Sequence, residues 1–104
     1  MDAAEYEDLA GQLYGLLIAV EDRLGREQAR WVHHVIDVGE YGLALEDMTG
    51  GLAHAGAPVS GCERAAMLTL ARRMQMDAVV ASALGCCPRA GQPGTPGGRG
   101  MAAS

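Results

Sequence analysis

The stretch GEYGLALEDM, residues 39–48, decides how this chain folds. Tyr41, Ala44, Leu45 and Met48, with Leu52 beyond them, recur at three- and four-residue steps, the apolar stripe of an amphipathic helix. The helix is expected to start near Glu40, where a carboxylate is favoured beside the unpaired amides of a first turn. Gly39 then serves as the stop of the preceding helix, in a backbone conformation that glycine adopts without strain. Gly42, lacking a side chain, leaves room for a neighbouring helix to approach. Tyr41 stands at the corner with an apolar ring and a polar tip. Gly50 and Gly51 interrupt the stripe at a cost of about 1 kcal/mol each relative to alanine. The stripe still reaches Leu52, so the helix is read as persisting, weakened, to about His54.

The same periodicity extends in both directions. Upstream, Tyr6, Leu9, Leu13, Leu16, Leu17 and Val20 form the stripe of a first helix. Asp2 is placed to cap it, with Glu5 reaching back, and Gly25 to end it in a left-handed conformation. A second helix, Arg26 to Val38, carries Trp31, Val32, Val35 and Ile36 on one side. Downstream, GAPVS makes a turn, and Ser60 and Glu63 have the Ser-x-x-Glu spacing of a capping box. The helix it opens has the stripe Met67, Leu70, Ala71 and Met74. Asp77 to Leu84 forms a short last helix or an extension of the fourth, ending at Gly85. The expected fold is therefore all-α, a compact bundle of four to five short helices over residues 1–86. Residues 87–104 are rich in glycine and proline and have no apolar period, the composition of a disordered tail.

Composition narrows what such a bundle does. There is no Phe and one Trp, so Leu, Val, Ala and Met must fill the core. All the basic residues are arginine, and the net charge is −5. Nucleic-acid binding needs clustered cations to displace phosphate counterions, and Arg72-Arg73 is the only adjacent pair. An acidic protein suits a basic protein partner instead, because opposite fields speed encounter. The uncharged run Leu9 to Val20 is too short to span a bilayer. Three cysteines, two of them adjacent, make no disulfide framework. The acidic start MDAAEYED lacks a signal peptide's basic residues, so a reduced, cytoplasmic protein is expected.

No catalytic, cofactor or metal site is expected. His33 and Asp37 lie one helical turn apart, but adjacent histidines such as His33 and His34 point in different directions, and a third ligand is missing. Solvent-facing polar groups explain them better. Ser60 reads as a cap rather than a nucleophile, and Cys86-Cys87 has no histidine near it in sequence.

The run HHVIDVGEYGLALEDM, residues 33–48, followed by PVSGCERAAMLTLARRMQMD, residues 58–77, resembles the MafI family of immunity proteins. The likeness lies in an apolar helix ending in Gly-Glu, then Tyr-Gly-Leu-Ala-Leu-Glu, then a Pro- and Ser-containing turn into a Glu-bearing helix. It spans roughly residues 31 to 80. The interruption at Gly50-Gly51 and the Gly/Pro-rich tail depart from that pattern. The resemblance implies a small all-helical protein, monomeric or weakly self-associating. It would bind a cognate polymorphic toxin domain with a basic cleft and neutralise it by occlusion, without catalysis. The partner-binding candidates are the polar residues around the second and third helices: Asp37, Glu40, Tyr41, Glu46 and Asp47. The alternative is a non-enzymatic helical adaptor or regulatory subunit, or one that associates with itself.

Overall fold

The computed structural model describes residues 2–89. Five helices follow one another: α1 (Ala3–Leu24), α2 (Arg26–Asp37), α3 (Tyr41–Ala55), α4 (Gly61–Arg73) and α5 (Asp77–Leu84). The fold is all-α among the described residues, its one β-type contact being an isolated bridge between Val59 and Arg89. The stretch read from sequence as a disordered tail lies, from residue 90 onward, outside the described residues. Its first residues, 87 to 89, belong to the body. Cys87 is buried, and the Pro88 carbonyl accepts the Val59 N–H at 2.9 Å.

α3 packs against all four other helices. Its buried stripe is accordingly wide: Ala44, Leu45, Met48, Thr49 and Leu52 are all fully enclosed. Around it close Leu9, Leu13 and Val20 of α1, Val32 and Ile36 of α2, Met67 and Leu70 of α4, and Val80 and Leu84 of α5. Each such leucine contributes about 1.5–3 kcal/mol by leaving water. Thr49 is the one buried polar residue among the described residues, and its hydroxyl donates to the Leu45 carbonyl one turn back, at 2.9 Å.

Three of the helix ends share one device. After α2, the Gly39 N–H donates to the Ile36 carbonyl and the Glu40 N–H to the Val35 carbonyl, with Gly39 at φ 85°. This is the Schellman arrangement, which satisfies carbonyls the helix leaves orphaned. Gly56 repeats it after α3, with Ala57 bonded to Leu52. Gln75 repeats it after α4 at φ 59°, a left-handed position held by a residue with a Cβ. Gly25 differs from the expectation. Its φ is 88° but its ψ is 156°, an extended left-handed-side conformation that turns α1 directly into α2.

The corner at Gly39–Glu40 also departs from the sequence reading in two respects. Glu40 takes the N-cap position of α3, yet its side chain caps nothing. A Cβ on Gly42 would meet Met76 Sδ at 3.6 Å, an ordinary contact, so no close approach requires glycine there. The close approach is at Gly51, whose added Cβ would lie 3.0 Å from Leu24 Cδ2 and 3.3 Å from Gln28 Cγ. α3 runs unbroken through both central glycines to Ala55.

Candidate functional site

Among the polar links between elements, three places separate scaffold from surface by their surroundings. At the α1–α4 corner the capping box is complete: Glu63 N–H donates to Ser60 Oγ and Ser60 N–H to Glu63 Oε1, both at 3.0 Å. Arg23 then grips the same carboxylate with both guanidinium arms, at 2.8 and 2.9 Å, and also donates to the Pro58 and Ala19 carbonyls. The paired guanidinium holds the Glu63 carboxyl far below its ordinary range, at about 2, against the opposing pull of burial. Nearby, Arg64 donates to the Leu84 and Cys87 carbonyls and so closes the end of α5. Burial pushes the Cys87 thiol up, which keeps it protonated and unreactive.

The second place joins α1 to α2. Tyr14 donates its hydroxyl to Asp37, and His33 Nδ1 lies 3.2 Å from the other oxygen of that carboxylate. The hydrogen bond to Asp37 raises the Tyr14 phenol above its usual range. Both His33 and Asp37 are about half exposed, so the trio is a surface link between two helices.

The third is the face shared by α2 and α3. Trp31 is 49% exposed and Val38 57%, and they stand with His34 at helical spacing along the outside of α2. The sequence reading put Trp31 on one side of the helix with Val32, Val35 and Ile36, and the structure divides that set. Those three fill the seam, and Trp31 falls at its edge. There the indole N–H, which needs an acceptor, donates to Asp47 Oδ2 at 2.6 Å. Its ring leans on His34 at a centroid distance of 5.9 Å. Beside it on α3, Leu43, Glu46, Asp47, Gly50 and His54 recur at helical spacing and line an open groove of about 500 Å³.

The five candidates from sequence thus fall into three surroundings. Asp37 bonds Tyr14 and His33. Glu40 and Tyr41 border a second groove of about 510 Å³ with Tyr6 and Arg73, where the Tyr6 and Tyr41 rings lie 6.1 Å apart. Tyr6, read from sequence as part of the α1 core stripe, is half exposed at that groove. Glu46 and Asp47 lie on the α2–α3 face. What the sequence reading missed is Trp31 and Leu43 as surface residues and Gly50 as part of the groove lining. The signal was present in the steps 43, 46, 47, 50 and 54, which share one side of a helix.

Among the described residues, no three His, Cys, Asp or Glu side chains are grouped to hold a metal ion, and no helix is long and apolar enough to cross a membrane. No family model, curated protein or solved structure matches this chain.

Proposed function

We propose that this chain is a non-catalytic immunity protein that binds a cognate toxin domain stoichiometrically and blocks it by covering a basic cleft, acting in the cytoplasm of the cell that makes the toxin. The observation that carries the reading is the α2–α3 face. There Trp31, bonded to Asp47, and Leu43, which lines the groove with Glu46 and Asp47, are exposed. Exposed aromatic and aliphatic anchors within a charged rim are the composition of a binding hot spot. The net charge of −5 favours a basic partner. The likeness of residues 33–48 and 58–77 to MafI immunity proteins points the same way.

The test is co-expression with the toxin encoded beside this gene. Protection of growth, together with a one-to-one complex on size exclusion, supports the reading. A chain that neither binds nor protects refutes it. A second reading, a self-associating or adaptor subunit, is favoured by Ile18, which is 71% exposed on the outer side of α1. A concentration-dependent dimer mass that Ile18→Ser abolishes would support that reading instead.

A further inference from the structure

Gly50 has no structural reason to be glycine. It lies inside α3, its backbone is helical, and an added Cβ would meet nothing within 4 Å. At such a position glycine costs about 1 kcal/mol of helix stability relative to alanine. Its neighbour Gly51 is different, because Leu24 and Gln28 fill the space a side chain would need. The missing side chain at Gly50 does one visible thing, which is to leave the groove between α2 and α3 open. The groove's ionisable side chains are Glu46, Asp47 and His54, and no arginine lines it. Asp47 also fixes the indole of Trp31 at the edge, leaving half of that side chain open to solvent.

We infer that this groove is a receptor for an arginine side chain carried by the protein partner. The guanidinium would pass over the bare backbone of Gly50 toward the Glu46 carboxylate, with the Trp31 ring as an adjacent π surface. Carboxylates and an aromatic face are the two features that select a planar, weakly hydrated guanidinium. Charge decides the occupant, since the lining offers an incoming anion or apolar segment two carboxylates and no arginine. The partner's identity as a toxin rests on the function proposed above, but the groove's choice of arginine does not.

Trp31 is the single tryptophan, so its fluorescence reports on the groove directly. The full chain is titrated with a blocked tri-arginine peptide and with its uncharged tri-citrulline counterpart. The arginine peptide should shift Trp31 emission at concentrations at least about tenfold lower than the citrulline peptide does. Gly50→Gln lays a flexible side chain across the floor and should keep or raise the melting temperature while weakening that response by about tenfold or more. Gly11→Gln is the matched control, because Gly11 is also a helical, exposed glycine with nothing within 4 Å of an added Cβ. It should bind like the unmodified protein. Glu46→Gln changes only an exposed carboxylate and should also weaken the response. Equal responses to both peptides, or an unchanged response in Gly50→Gln, overturn the assignment. If the protein protects against the neighbouring toxin and Gly50→Gln protects equally well, the groove assignment fails and immunity stands. If it neither binds nor protects while the arginine response is as described, immunity fails and the groove stands.

Discussion

The corner where α1 meets α4 and the face shared by α2 and α3 each join two helices through a carboxylate. At the corner, Glu63 engages both carboxylate oxygens inside the molecule, with Ser60 and with both arms of Arg23. Its side chain and that of Arg23 are about four-fifths shielded from water. On the face, the Asp47 carboxylate accepts one bond from an indole that stays half in solvent, and the Glu46 carboxylate beside it accepts none from any described group. A carboxylate enclosed by its partners stabilises a fold. One left with spare acceptors at the edge of a groove is available to something else. The difference lies in how completely the acid is satisfied.

The largest effect should come from neither region but from the core they share. Leu45→Ala or Leu70→Ala removes a side chain with no exposure at all, and each should cost about 2–5 kcal/mol in a denaturant titration. In a domain this small that approaches the whole stability.

Breaking the corner should come next. The Glu63 carboxyl is lowered from 4.5 to about 2 in the fold. A group depressed in this way contributes stability that is fully present above its unfolded value, near 4.5, and is lost as pH falls through about 2. Glu63→Gln should therefore lower stability at neutral pH by about 1–3 kcal/mol, after allowance for partial solvent screening. It should also flatten the fall in stability between those two pH values. Urea midpoints measured across that range for both proteins check the sign.

Much of this was legible in the sequence where the contacts are local. Ser60 and Glu63 are three residues apart, and the box they form follows from spacing alone. Gly39 likewise announced the end of α2. The Arg23–Glu63 pair spans forty residues, and no periodicity encodes which arginine reaches a given cap. The exposure of Trp31 was not legible, because four apolar residues, 31, 32, 35 and 36, span more of the helix than one seam can cover. Tertiary packing chose three of them. The spread of the five candidates, four acids and a tyrosine, over three surroundings was equally hidden, since it depends on how α1 and α4 flank α2 and α3. Gln75 in a left-handed position had no sequence signal, as glutamine does not advertise a turn.

Backbone substitutions sharpen the comparison at smaller amplitude. Gly50→Ala should raise stability by about 0.5–1 kcal/mol, while Gly51→Ala should gain less or lose stability, because its Cβ would press on Leu24. Gln75→Gly should gain about 0.5–1 kcal/mol by relieving a left-handed backbone at φ 59°. Thermal melts of the three variants side by side check the ranking.

The smallest expected effect on the fold is at Trp31, and it bears most directly on the account. If the α2–α3 face exists for binding, removing its aromatic anchor should leave folding nearly intact and abolish association. Trp31→Ala is measured twice, by thermal melt and by titration against the toxin partner proposed above. We expect a stability loss of about 1 kcal/mol or less with affinity weakened by about thirtyfold or more, the effect of losing a hot-spot tryptophan. A variant that unfolds, or one that binds as tightly as the unmodified protein, would contradict the assignment of this face.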